Sequence, residues 1–318
     1  MIIRGDGVAA YCCAYLLNQA GFRVELESVD RPRLPVILLG DLALALVRDI
    51  FAQPEIFADA PRIRKRIVAW GADGAPVSLE HSAVLVSERD VLSAIRPPLA
   101  TGGREFDWTI LAAQRTPAGV GGSLTATVVA VTLKPSAGPD TCWIESLEQG
   151  WLFLTPGWLL SVGAPAEALL AHSRVVSAQI GEIGPARGTF PCSARIASPL
   201  GSHGWLACGS AAMAFDPICG DGTATAIREA ILASAVIRAI AGGGNEEGLL
   251  AHYHARMIGA FHRHLLHCRQ FYSTGGTGSM WQAQVQGIDR QVAWCQDALN
   301  GYGQFRYQLR GFELEAVR

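Results

Sequence analysis

The sequence predicts an α/β fold: a Rossmann-like opening unit, an antiparallel sheet interleaved with it, and a helical C-terminal segment. Three observations carry this expectation. A glycine turn, 5-GDGVAA-10, stands between a short apolar strand and an apolar helix at the N-terminus. Several strand-length runs follow one another between residues 124 and 163. From Glu246 onward the pattern is helical, broken at 275-GGTG-278.

Taken in order, Met1 to Arg4 reads as a strand and Ala9 to Asn18 as a helix ended by Gly21. The run 22-FRVELE-27 alternates as a second strand. Residues 34–51 read as a loop and then a helix. The run 62-RIRKRIVAW-70 alternates charged and apolar residues like a half-exposed strand, and Gly71 to Pro76 reads as a hairpin turn. Residues 86–95 read as a helix with Ser87 as N-cap, and Asp107 to Ala113 as a short buried strand. The runs 124-LTATVVAVTL-133, 141-TCWIESL-147, 151-WLFLT-155 and 158-WLLSVG-163 predict an antiparallel meander. Pro165 to Ile183 is expected to be helical. Then 205-WLACGSAA-212 is a strand running into a turn, and residues 223–241 form a long apolar helix. No repeat or linker separates these pieces, so the domains must interleave. Residues 1–60, 84–123 and 190–245 would form one, 61–83 and 124–189 a sheet domain, and 246–318 a helical cap.

The 318 residues are 50% hydrophobic and 17% charged, enough to bury a large core and to exclude disorder. A formal net charge of -2 lacks the basic footprint of a nucleic-acid binder. Asp41 breaks the apolar run 36–47, and Arg238 and glycines limit 230–244, so neither gives the roughly 18 apolar residues of a spanning helix. The opening residues lack a signal-peptide layout, and a cytoplasmic location is expected. Eight cysteines show no CxxC pair and no zinc spacing, and read as small buried hydrophobes. His264, His267 and Cys268 could share a helix face. Their number and kind do not meet the needs of a metal site, so none is expected.

Two segments carry chemistry. In the first, Gly5 permits a tight turn, Gly7 admits a pyrophosphate close to the backbone, and Ala10 lets helix and strand pack closely. The helix N-terminus then offers free N–H groups to phosphate. Glu27 ends the second strand, one residue from where a ribose-binding acid is expected. In the second, 209-GSAAMAFDPICGDGTATAIREA-230, small residues would let a backbone loop lie against a flat ring, with a helix N-terminus aimed at it.

With these motifs the chain resembles flavoprotein monooxygenases of the hydroxybenzoate-hydroxylase superfamily, in particular the tryptophan-halogenase-like branch. That branch includes flavoproteins that modify tryptophan or assist quinone-cofactor biogenesis in partner proteins. Further segments that carry the likeness are 39-LGDLAL-44, 68-VAWG-71, 107-DWTILAAQR-115, 143-WIESLEQGWLFLTP-156 and 269-RQFYSTGGTGSMW-281. The resemblance implies a Rossmann-like FAD-binding domain with an interleaved antiparallel substrate-domain sheet. It implies FAD contacts from Gly5, Gly7, Ala10 and Glu27, from Arg89 at the pyrophosphate, and from Ser210, Asp216, Pro217, Gly220, Asp221 and Gly222. Asp221 also reads as a plain helix N-cap.

The departures lie on the FAD route. Ser210 replaces the aspartate that holds the ribityl chain, the acid of the second strand falls on Ser28, Gln114 replaces a glycine, and Arg4 replaces a small residue. Losing two charge-assisted hydrogen bonds costs roughly 1.5–3 kcal/mol each, or about two to four decades of affinity. The expected function is FAD-dependent hydroxylation of an aromatic group, on a small molecule or on a tryptophan of a partner protein. The alternative is a degenerate relative, with weak or no FAD binding, that serves as a binding or scaffold partner. Halogenation is disfavoured because Lys65 matches the halogenase lysine poorly in register. Trp70, Trp143, Trp151, Phe153 and Trp158 are expected to be core more than cavity wall.

Overall fold

A computed structural model describes residues 1–71, 74–99, 102–113, 124–303 and 306–317. Gln114 lies outside them. The chain opens with β1 (Ile2–Arg4), α1 (Val8–Gln19) and β2 (Glu25–Glu27), the expected βαβ unit. Next come β3 (Ile37–Gly40), α2 (Asp41–Phe51), β4 (Arg62–Ala69), β5 (Val77–Val86), α3 (Glu88–Ala94) and β6 (Thr109–Leu111). Then come β7 (Thr125–Leu133), β8 (Thr141–Leu147), β9 (Gly150–Thr155) and β10 (Trp158–Val162). β8 to β10 form a meander, while β7 pairs with β10 and not, as expected, with β8. After α4 (Ala166–Leu170) come β11 (Ile180–Pro191), β12 (Arg195–Ile196), β13 (Gly201–Ser202), β14 (Trp205–Ala207) and β15 (Met213–Ala214). The helices α5 (Gly222–Ala241), α6 (Glu246–Gly275) and α7 (Ser279–Asn300) precede a hairpin, β16 (Tyr307–Arg310) and β17 (Glu313–Ala316).

Two sheets organise these elements. A five-stranded sheet runs β13-β14-β6-β1-β2, parallel except at its β13 edge. An eight-stranded sheet runs β11-β7-β10-β9-β8-β4-β5-β3, antiparallel except between β4 and β8. Small residues let α1 and α5 come together against the first sheet: Ala10, Ala14, Ala230 and Ala233 are fully buried. Along β9 the side chains alternate. Trp151 and Phe153 face the main core, while Leu152 and Leu154 enter a second cluster with Trp143, Leu159 and Leu169.

Several elements differ from the sequence reading. The helix expected over 165–183 stops at Leu170, and β11 follows it. β11 holds Gly181, Gly184, Pro185 and Gly188, residues of low strand propensity, and its register against β7 shifts three times. It is a strand because β7 offers an open edge to pair with. β3 stands where the sequence predicts a loop, since a four-residue apolar run has no period of its own. The chain end is a hairpin rather than helix, tied to α5 by Arg238, which reaches Glu313 at 2.6 Å and the Phe312 carbonyl at 3.3 Å. The break between α6 and α7 has a steric cause. A Cβ on Gly275 or Gly276 would enter the indole of Trp281, which is buried and donates to the Leu147 carbonyl at 2.9 Å. Among the described residues no helix is long and apolar enough to cross a membrane.

Candidate functional site

The two glycine segments meet where β1, β6 and β14 end. Gly5 leaves β1 at φ +137°, and a Cβ there would stand 2.8 Å from the Ala113 nitrogen. Gly209 follows β14 at φ +55°, so close to α1 that a Cβ would stand 2.7 Å from that of Ala9. The Gly209 N–H donates to the buried Glu229 carboxylate of α5 at 2.6 Å. Burial pushes the Glu229 carboxyl well above its ordinary range. Ser210 is exposed, and its hydroxyl donates to the Ala112 carbonyl at 3.3 Å. Ala10, also on α1, is fully buried.

α1 starts at this junction, and α5, which reaches it through Glu229, starts roughly 10 Å further along its own axis. Gly7 caps α1 and Asp221 precedes α5, and neither helix has a side-chain cap or an acidic residue in its first turn. Their first N–H groups and positive dipole ends are thus free to receive an anion or an electron-rich ring. Above Gly220 and Gly222 a Cβ would meet nothing within 4 Å, and Gly220 adopts φ +66°.

A ring of charges covers the start of α1. Buried Asp6 pairs with Arg33, and buried Glu88 pairs with Arg31 and accepts the Leu34 N–H at 2.8 Å. The hydrogen bond that Arg33 donates to Asp6, against some desolvation and with help from the nearby carboxylates, raises the Arg33 pKa. Arg31 reaches to 3.1 Å from where a Cβ on Gly7 would stand. Arg89 is exposed, and its neighbour Glu88 takes the inward position. Glu27 is exposed and bound by Arg4 Nε at 2.8 Å, across the β1–β2 register.

On the other side, Asp216 is buried. Its Oδ1 accepts the Ile218 N–H at 2.9 Å and starts a 3-10 turn with Pro217 in first position. Its Oδ2 accepts the Tyr272 hydroxyl at 2.7 Å, and Trp151 Nε1 donates to that hydroxyl at 3.4 Å. The Asp216 N–H donates to His264 Nε2 at 3.0 Å. Burial lifts the Asp216 pKa to about 6, against the lowering effect of these donors. Asp221 holds the N-cap position without making the cap bond; its Oδ1 lies 3.7 Å from His264 Nδ1.

The sequence reading placed His264, His267 and Cys268 on one face. His267 is exposed, and the side chain that joins the other two is Cys219, from the turn after Asp216. Ligand atoms of Cys219, His264 and Cys268 lie within 4.8 Å of one another. The sequence reading also passed over Arg31, Arg33, Glu88, Glu229 and Tyr272. Glu229, a carboxylate inside a strongly apolar helical run, and the Arg-Pro-Arg run after the second strand were the available signals. The aromatic set divides. Trp151 is core, Trp143 lies on the opposite face of the sheet, and Trp70 meets Trp281 edge-on at 5.6 Å.

No family profile matches the chain, and no curated protein matches it in sequence. Solved structures do match its shape. The peptidyl tryptophan dihydroxylase QhpG, essential for tryptophylquinone cofactor biogenesis, is similar with a TM-score of 0.64 and 19% identity, over 99% of this chain and 85% of that one. The flavin-dependent halogenase CmlS is similar with a TM-score of 0.69 and 16% identity, over 94% and 70%. HpxO of Klebsiella pneumoniae, solved with FAD and uric acid, gives 0.65 and 14%, over 95% of each chain. The chain has the fold of the flavin-dependent monooxygenases and halogenases.

Proposed function

From that fold, we propose that the protein is an FAD-dependent monooxygenase acting on an aromatic group, with tryptophan carried by a partner protein as the substrate class of first choice. The observation that carries the reading is the junction of Gly5, Gly209 and Ser210 between two uncapped helix N-termini. Such a cradle suits a ligand with a pyrophosphate at one end and a flat ring at the other. The open space over Gly220 and Gly222 fits the ring. FAD, when bound, supplies the electron transfer to oxygen that side chains cannot.

The chain's own residues do the rest. The α1 amides, with Arg31 and Arg33, would hold the pyrophosphate. Asp6 and Glu88 keep those guanidinium groups at the helix start, at the cost of neutralising them. The turn Asp216–Gly222 would lie against the ring. Asp216 and Tyr272 hold a proton beside it, and the buried Trp151, Tyr272 and Trp281 exclude water from that side. The substrate class is supported by likeness of shape to a peptidyl tryptophan dihydroxylase over nearly the whole chain. Lys65 is exposed on β4, which speaks against a halogenase role for it.

A second reading, a scaffold that has lost FAD, is favoured by Glu27 being tied to Arg4 and by Ser210 lacking a carboxylate. The visible spectrum of the purified protein separates the two. Flavin absorbance with one FAD released per chain on denaturation is the expected result. A colourless protein that takes up no added FAD would overturn the flavoenzyme reading.

A further inference from the structure

Two pairs of cysteines approach each other, and their surroundings differ. Cys13 and Cys208 lie 3.8 Å apart, fully buried between α1 and β14, and Cys13 donates to the Ala230 carbonyl at 3.6 Å. The hydrogen bond with Cys13, burial and the nearby Glu229 all push the Cys208 thiol up. Neither sulfur of this pair is open to solvent. Cys219 and Cys268 lie 3.6 Å apart, on the turn after Asp216 and on α6, and Cys219 is only half-buried. His264 Nε2 stands 3.2 Å from Cys268 Sγ, one helical turn earlier on the same face.

We infer that Cys219 and Cys268 form a reversible disulfide switch whose oxidant is a hydroperoxide. Cys219 is the attacking sulfur because it is the one solvent reaches. A hydrogen bond from Cys268 and the neighbouring His264 hold its thiol below the ordinary range, while Cys268 is pushed up and keeps its proton. The Cys219 thiolate attacks the outer oxygen of the hydroperoxide. The O–O bond breaks, the displaced alkoxide or hydroxide takes a proton from solvent and leaves as alcohol or water, and Cys219 becomes a sulfenic acid. Cys268 then attacks that sulfur, the S–S bond forms, and hydroxide leaves with the Cys268 proton as water. Two thiols lose two electrons and the peroxide gains them. A dithiol reverses the step by exchange. The bond would fasten the Asp216–Gly222 turn to α6.

A metal on the same three residues is the competing use, and one contact opposes it. His264 Nε2 already accepts the Asp216 N–H at 3.0 Å, so its lone pair is engaged. Neither thiol chemistry nor this contact depends on FAD, so failure here leaves the flavin reading untouched.

The test treats the reduced full chain with hydrogen peroxide, blocks remaining thiols with iodoacetamide, and maps peptides by mass. The expected product has lost two hydrogens in a single Cys219–Cys268 cross-link, formed about tenfold or more faster than any modification of Cys13 or Cys208. Cys268→Ser should leave a sulfenic acid at Cys219 that dimedone captures, and Cys219→Ser should abolish the cross-link. Should Cys268→Ser not fold, the wild-type map and Cys219→Ser still decide. Oxidation that spreads evenly over the cysteines, or that leaves Cys219 and Cys268 unlinked, overturns the proposal. So does one zinc per chain by native mass spectrometry that is lost in Cys219→Ser.

Discussion

Ser210 shows how one side chain can set the strength of a site whose backbone is in place. The turn around it is fixed by Gly209, held between Ala9 and the Glu229 carboxylate, so position 210 is presented whatever its side chain. A serine there donates to the Ala112 carbonyl at 3.3 Å and offers no charge to a sugar hydroxyl. Ser210→Asp is expected to tighten FAD binding by about a decade or more, the worth of a charge-assisted hydrogen bond. Quenching of flavin fluorescence on titration measures it. Unchanged or weaker binding would mean that this turn does not face the ribityl chain.

Among the elements, α5 and the α6–α7 corner make opposite demands on glycine. At the start of α5, Gly222 is exposed and a Cβ meets no atom within 4 Å. Gly222→Val should therefore leave stability nearly unchanged, within about 0.5–1 kcal/mol for β-branching in a helix, while blocking the ring. The expected readout is a folded protein by circular dichroism with FAD affinity at least about tenfold weaker. FAD binding at wild-type strength would remove the ring from this loop. At the corner, Gly275→Ala pushes a methyl group into the buried Trp281 indole. Overpacking of this kind costs about 1–3 kcal/mol, and urea denaturation should show a loss in that range. No loss would mean that the indole can move aside without cost.

For the whole molecule, Asp216 couples stability to pH. Tyr272, His264 and the Ile218 N–H face its carboxyl, and Cys192 and Cys219 lie nearby. Its pKa is raised from 3.8 to about 6 on folding, chiefly by desolvation. A raised folded pKa means that the native state holds the proton more tightly. Its stabilising effect is complete below about pH 4 and is lost as pH rises through 6. The difference is at most about 3 kcal/mol, from 1.36 kcal/mol per pKa unit. Stability of the wild type minus that of Asp216→Asn should fall by an amount of this order between pH 4 and pH 7, measured by denaturant unfolding at each pH. A flat difference would show the carboxyl to be solvated.

The βαβ opening, the meander and the long C-terminal helices were legible because each declares itself locally: a glycine turn after a strand, alternation, or a sustained helical period. The two glycine segments were legible for the same reason, since backbone turns depend on residues next to one another. β3 and β11 were not, because their state depends on an edge supplied from far along the chain: β5 for β3 and β7 for β11. The final hairpin pairs locally, but α5 holds it through Arg238 from far along the chain. The charges of the site were hidden likewise. Only folding sets Arg4 against Glu27, gathers Asp6, Arg31, Arg33 and Glu88 at one helix start, and brings Cys219 beside Cys268. Local sequence determined which backbone could hold a dinucleotide. Long-range packing decided which side chains surround it, because an ion pair or a thiol pair is a fact of distance in space, which spacing along the chain does not encode.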